Sequence, residues 1–102
     1  MAFSQSSRNI RIEDSLLYAD CLKEDNRTWV PAEINLDSVI GNINGSFQWG
    51  KQAFSQSARD IHLEENSTLA ASLANEVGTY GPDQTVNLDD HIANINGHLE
   101  YQ

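Results

Sequence analysis

The sequence predicts an all-β fold of two pseudo-symmetric halves, and three observations predict it. Apolar residues recur at every second position, the chain matches itself at an offset of 51 to 52 residues, and each repeat carries an Asn-Gly dipeptide between alternating apolar residues. Phe3 to Ile10 falls on Phe54 to Ile61 with six of eight positions identical. After a one-residue slip, Ile34 to Gly45 falls on Val86 to Gly97 with eight of twelve identical. A period this long occurring only twice is too short an array for a solenoid, so the two repeats (1–50 and 51–102) complete one another's core within a single unit, 1–102.

Each element follows from local chemistry. Phe3-Ser4-Gln5-Ser6 and its copy Phe54 to Ser57 place serines around a short apolar spacing, which predicts single helical turns with capping hydroxyls. Ile10-Arg11-Ile12-Glu13 and Ile61-His62-Leu63-Glu64 alternate apolar and polar residues and read as half-buried strands. Ala70 to Ala74 has helical propensity, but its counterpart Tyr18 to Leu22 has strand length between turn signals, so both are read as strands. Val30, Ala32, Ile34 and Leu36 continue the alternation. Leu36-Asp37-x-x-Ile40 and Leu88-Asp89-x-x-Ile92 are further short turns in which Asp is the expected cap. Asn44-Gly45 and Asn96-Gly97 then predict tight hairpins leading into Phe47/Trp49 and Leu99/Tyr101. In those strands Trp49 and Tyr101 are expected in the core.

Composition narrows the function. Of 102 residues, 15 are acidic and 6 basic, a net charge of −9. A nucleic-acid binder needs a Lys/Arg footprint that this chain lacks, and no apolar run approaches the roughly 20 residues of a bilayer helix. No nucleic-acid partner and no membrane insertion are expected. The sole cysteine, Cys21, excludes an internal disulfide and is read as a buried strand residue; with no basic start or apolar h-region at the N-terminus, a cytoplasmic or other reducing location is expected. His62, His91 and His98 lack a second histidine at metal-ligand spacing, so no metal and no cofactor are predicted. No nucleophile elbow, phosphate loop or Cys-His pairing is present, and Asp37 and Asp89 have a turn explanation, so the chain is not read as an enzyme.

The duplicated Asn-Ile-Asn-Gly hairpins (Asn42 to Gly45 and Asn94 to Gly97) and the paired Phe-Ser-Gln-Ser turns resemble the cyanovirin-N homologs over essentially the whole chain. The resemblance implies a cyanovirin-N-like fold of triple-stranded sheets, β-hairpins and short 3-10 turns, with one structural domain of residues 1–39 plus 91–102 and a second of residues 40–90. It further implies a lectin that binds terminal α1,2-linked mannose of oligomannose glycans through one pocket per domain. By position, the first site comprises Ala2, Gln5, Ser6, Leu22, Lys23, Glu24, Asn94, Ile95 and Asn96. The second comprises Gly41, Asn42, Ile43, Asn44, Gln52, Ala53, Gln56, Ser57, Ala74, Asn75 and Glu76.

Amides and hydroxyls suit a neutral polyol because they both donate and accept. The family's usual disulfides are missing: Cys21 faces Ser7 by position, and Ala58 and Leu73 replace the second bridge. The same pattern has plainer readings. Asn44 and Asn96 suit positive-φ turn positions, and the serines suit caps, whereas Gln5 and Gln56 have no such explanation. Ala2, Ala53 and Ala74 offer no side-chain hydrogen bond, which leaves a structural or protein-interaction domain with degenerate pockets as the alternative. Gly50 to Ala53 joins the repeats as a tight bend, favouring a monomer over a dimer that exchanges halves.

Overall fold

The structure is a computed structural model and describes residues 2–102; Met1, the first residue of the expected unit, lies outside the described residues. It contains ten strands, all paired antiparallel, and four 3-10 turns. The first turn, Phe3–Ser6, leads into strands β1 (Ser7–Glu13), β2 (Leu16–Leu22) and β3 (Trp29–Asn35), which form one sheet in that order. The turn Leu36–Ser38 precedes the hairpin of β4 (Ile40–Ile43) and β5 (Ser46–Trp49). The second repeat follows with the turn Phe54–Ser57, the sheet β6 (Ala58–Glu64), β7 (Thr68–Ala74) and β8 (Tyr80–Asn87), the turn Leu88–Asp90, and the hairpin β9 (Ile92–Ile95) and β10 (His98–Tyr101).

The repeat is therefore structural as well as sequential. Residues 70–74, helical by propensity, lie in β7, where Leu69, Ala70, Ala71 and Leu73 are buried and tertiary packing overrides the alanine preference. Both Asn-Gly dipeptides form two-residue hairpin loops, with Ile43 opposite Ser46 and Ile95 opposite His98. Asn44 (φ 51°) and Gly45 (φ 90°) are both left-handed, as are Asn96 (φ 50°) and Gly97 (φ 90°). Two positive φ values in sequence match the primed turn that follows the natural twist of a hairpin.

A single hydrophobic cluster runs through both halves, with Phe3, Leu17, Cys21, Leu36, Ile40, Phe54, Leu69, Leu88 and Ile92 almost fully buried. The hairpins close it over long sequence distances. β9 packs on the Phe3–Ser6 turn and β10 on β3, while β4 packs on the Phe54–Ser57 turn and β5 on β8. The molecule is elongated, 49 × 21 × 17 Å along its principal axes.

Two expectations need correction. Asp37 and Asp89 do not cap their own turns. That role belongs to Asn35 and Asn87, whose side-chain carbonyls accept from the backbone N–H of Asp37 and Asp89 at 3.0 Å. The aspartates instead reach across to the opposite repeat's Phe-Ser-Gln-Ser turn. Asp37 accepts from the Ser55 N–H at 2.9 Å and from the Ser55 hydroxyl, and Asp89 does the same with Ser4, 85 residues away. Those turns have no side-chain caps at their own N-cap positions, so the predicted role of Ser4 and Ser55 is replaced by this tether.

The second correction concerns Tyr101, which is 41% exposed, with Trp49 half-buried. Tyr101 lies on a two-stranded hairpin with no third strand in its sheet; its ring stacks on Trp49 at 5.8 Å and meets the His91 ring at 5.7 Å, contacts that cover it only in part.

Candidate functional site: an asparagine hydrogen-bond knot repeated in both halves

In the first half, Asn94 on β9 sits where three segments meet. Its side-chain N–H groups donate to the Ser6 hydroxyl at 2.9 Å and to the Leu22 carbonyl at 2.9 Å, and its side-chain oxygen accepts from the Gly97 N–H at 2.8 Å. Asn96 at the hairpin tip accepts from the Glu24 N–H at 3.0 Å. These bonds draw the first turn, the end of β2 and the Lys23-to-Thr28 loop around one depression of about 300 Å³. Ser6, Leu22, Lys23, Glu24, Asn26, Asn94, Ile95 and Asn96 line it.

Seven of the nine residues named for the first site thus come together. Ala2 and Gln5 belong to the same turn region as Ser6 but do not line the depression. Asn26 was missed: it follows Asp25 in a loop, and its left-handed backbone (φ 60°) is set by loop closure rather than by any repeat in the sequence.

The second half rebuilds the arrangement. Asn42 donates to the Ser57 hydroxyl at 2.8 Å and to the Ala74 carbonyl at 2.8 Å, and accepts from the Gly45 N–H at 2.8 Å. Asn44 accepts from the Glu76 N–H at 3.0 Å. Asn42, Asn44, Ser57, Ala74 and Glu76 are therefore joined directly, and Ile43, flanked by the two asparagines, is 50% exposed. Asn75 approaches the Gly45 backbone. Gln56 is exposed on the Phe54–Ser57 turn and Gln52 in the linker.

Gly41 bridges to Ala53, and a Cβ at Gly41 would stand 2.5 Å from the Lys51 Cβ. This glycine lets the linker pass closely over β4, and the equivalent position in the first repeat's pocket, under no linker, is Ala93.

This geometry redefines what the asparagines do. Both N–H groups of Asn42 and Asn94 are engaged within the protein, which leaves one oxygen lone pair. They hold the wall in place. The groups free to meet a ligand in the first depression are the Ser6 hydroxyl proton, the Asn96 amide N–H groups, the Lys23 ammonium, the Glu24 carboxylate and the Asn26 amide.

The adjoining loops differ. In the first, Asp25 is committed to its own turn, accepting from the N–H groups of Arg27 and Thr28 and from the Thr28 hydroxyl at 2.6 Å. The Thr28 hydroxyl, followed by the two backbone donors, lowers the Asp25 pKa to about 2. In the second loop, one residue shorter, the Asn75 side chain accepts from the N–H groups of Val77 and Thr79. Beside the first depression a larger groove of about 440 Å³ opens between β3 and β10 and shares Lys23 and Asn96 with it.

Comparison with known proteins agrees with this architecture. The CVNH domain model matches residues 3–100. A cyanovirin-N homolog of Tuber borchii is 38% identical over the full length of both chains. One from Neurospora crassa is 34% identical, covering 98% of this chain and 97% of its own. The solved Tuber borchii homolog superposes with a TM-score of 0.89 at 38% identity over both full chains. The structure of microvirin in complex with mannobiose superposes at 0.84 with 32% identity over 99% of this chain and 98% of its own. A CVNH variant solved with an N-acetylglucosamine tetramer is similar in fold, with a TM-score of 0.90 at 24% identity over 98% of this chain and 96% of its own. With the repeat, the paired hairpins and the match over residues 3–100 all agreeing, the chain belongs to the CVNH family, the cyanovirin-N homologs.

Proposed function

We propose that this protein is a lectin that recognises terminal α1,2-linked mannose of oligomannose glycans through two hydrogen-bonding sites, one per half. The observation that carries the reading is the depression whose knotted wall leaves the Ser6 hydroxyl, the Asn26 and Asn96 amides, Lys23 and Glu24 facing one small-ligand space. Asn94 with Ser6 and Asn42 with Ser57 hold equivalent walls, and the first encloses about 300 Å³, within the usual range of small-ligand sites. Hydroxyl and amide groups at that wall match the close-set hydroxyls of a mannose disaccharide. A relative at 32% identity, microvirin, has been solved with mannobiose, which supports the sugar class.

Each net hydrogen bond contributes about 0.5 to 1.5 kcal/mol, so a single shallow site binds modestly. Two sites on one rigid body raise avidity for a branched glycan whose arms reach both. The first site is the tighter, because Lys23, Glu24 and Asn26 stand around it, whereas Ala74 and Gly78 leave the second more open.

The test is an NMR titration with an α1,2-linked mannose disaccharide, run beside a chitin oligosaccharide. The mannose reading expects saturable shifts confined to Ser6, Lys23 to Asn26 and Asn94 to Asn96, then to their counterparts in the second half. Shifts from the chitin oligosaccharide alone would transfer the site to N-acetylglucosamine. The absence of shifts from either sugar would favour a protein-interaction domain, the reading that Ala2, Ala53 and Ala74 favour by leaving bare positions where hydrogen-bonding side chains would help a lectin.

A further inference from the structure

The sheet β6-β7-β8 carries a cluster that neither proposed sugar site uses. His62 and Glu64, two residues apart on β6, share a face, and Asp83 reaches the same face from β8 across β7. On the intervening strand Thr68 stands opposite Glu64, Ala70 opposite His62 and Ser72 opposite Asp83, short side chains over which the three longer ones meet. The His62 Nε2 lies 3.4 Å from the Glu64 carboxylate and 3.8 Å from the Asp83 carboxylate. One donor atom from each of the three residues falls within 4.8 Å of the others.

The orientation of the imidazole gives this cluster its chemistry. His62 Nδ1 is 2.5 Å from the Asp60 carbonyl. A carbonyl can only accept, so Nδ1 carries the proton, and in the neutral ring the Nε2 lone pair points at two anions. Backbone anchoring of one ring nitrogen while the other faces out is the usual arrangement behind a metal-bound histidine.

The first repeat supplies an internal comparison. At the position of His62 stands Arg11, whose guanidinium donates to the Asn9 carbonyl at 2.8 Å, the equivalent of the Asp60 carbonyl. Tyr18 opposes Arg11 where Ala70 opposes His62, and Pro31 opposes Asp20 where Asp83 opposes Ser72. One repeat thus holds a permanent side-chain cation, Arg11, among the carboxylates Glu13, Asp20 and Glu33. Its copy holds an imidazole and two carboxylates, with the nearby Arg59 placed over the Tyr80 ring at 3.7 Å. The cation that Arg11 provides in the first sheet has no side-chain equivalent at His62.

We propose that His62, Glu64 and Asp83 form a surface site for a divalent transition-metal ion of the Zn²⁺ class, with water completing the coordination. Tetrahedral Zn²⁺ with bonds near 2.1 Å holds its donors about 3.4 Å apart, close to the His62 pair distances, and the exposed carboxylates close the remaining gap by rotamer changes. One nitrogen and two oxygens suit Zn²⁺ better than Ca²⁺, which takes six to eight oxygens. The charge of −9 raises the local cation concentration.

The test uses the untagged full chain at about pH 8, above the ordinary imidazole range. Zn²⁺ is added while the three histidine rings are followed by NMR and the heat of binding is measured. The expected result is saturation at one equivalent, with the His62 resonances moving and those of His91 and His98 unmoved, and no response to Ca²⁺. His62→Gln, at a half-buried position on the sheet surface, abolishes this binding while the rest of the spectrum keeps its dispersion, and Asp83→Asn weakens it at least tenfold. Shifts that never saturate, equal shifts at His91 or His98, or unchanged affinity in His62→Gln would overturn the site. So would an equal response to Ca²⁺, and the cluster would then be an imidazolium ion pair or an unspecific acidic surface.

Discussion

Replacing Ser7 by Cys should create the disulfide that the wild-type chain lacks. Ser7 and Cys21 are direct register partners on β1 and β2, and the Ser7 hydroxyl lies 3.4 Å from the Cys21 sulfur. Direct antiparallel partners have Cα atoms about 4.5 or 5.5 Å apart, inside the range a disulfide spans, and the two sulfurs need to approach by a further 1.4 Å or so.

The bridge closes a loop of 15 residues, from 7 to 21. The chain-entropy relation gives about 3 kcal/mol for such a loop. At about 2.1 cal/mol/K per residue, the unfolding entropy of the whole chain is about 0.2 kcal/mol/K, so the melting temperature should rise by up to about 14 °C. The assay compares oxidised and reduced Ser7→Cys by calorimetry, which separates the bond from the substitution. The wild-type protein, with one buried thiol, should melt identically with and without reductant.

Ala58 and Leu73 are partners at the equivalent place, with a loop of 16 residues and the same entropic gain. There the gain should nearly vanish, because Leu73 is buried and truncating a buried leucine costs about 2 kcal/mol or more in lost packing. Failure of Ser7→Cys to oxidise would refute the register, since a one-residue slip puts the two side chains on opposite faces. A bond that forms but shifts the melt by less than about 4 °C would refute the entropy argument.

Three further outcomes are expected. Asn94→Ala removes three hydrogen bonds, so it should lower stability by about 2 to 3 kcal/mol, reduce the melting temperature by about 10 °C and weaken the tighter phase of sugar binding; Asn42→Ala should act likewise on the weaker phase, and equal loss of both phases from either change would refute two separate sites. Asp25, its carboxyl lowered to about 2 from the ordinary 3.8, should still be ionised at pH 3; its contribution to stability is fully present above 3.8 and is lost as pH falls through 2, and a carboxyl NMR titration in which Thr28→Val leaves that midpoint unmoved would contradict the assigned cause. We propose a non-glycosylating compartment, because Asn44-Gly45-Ser46 is an acceptor triplet at the tip of the second site; mass spectrometry of native protein should find Asn44 bare, and a glycan there together with intact two-site binding would refute this.

What could be read from the sequence was what depends on neighbours. The two hairpins, the alternating strands and the short turns follow from Asn-Gly chemistry, period-two burial and local spacing, and all lie where those signals put them. The reach of Asp89 to Ser4 could not be read, because it joins residues 85 apart whose proximity exists only after the hairpin β9–β10 has folded back on the first turn. The repeat did hold a clue: an aspartate and a serine recur together in both halves, but recurrence does not say which aspartate meets which serine. Tyr101 was misread for a related reason, since alternation identifies a face without saying whether another strand covers it.

The same distinction separates scaffold from specificity in the two sites. Asn42 and Asn94 recur because each ties a hairpin to a turn and to the end of a strand, a job that any CVNH-like chain with this topology needs done whether or not it binds sugar. Their presence therefore argues for a formed wall rather than for mannose in particular. The residues left to choose a ligand are those the knot holds out to solvent, and here the repeats part company: Lys23, Glu24 and Asn26 on one side, Glu76 and a shorter loop on the other. The two repeats share the fixed wall and differ in the chemistry held out to solvent. Exchanging the loop 23–28 for 75–79 should thus exchange the affinities of the two sites while leaving the melting temperature nearly unchanged, because the donors to Asn44 and Asn96 are backbone N–H groups that either loop supplies.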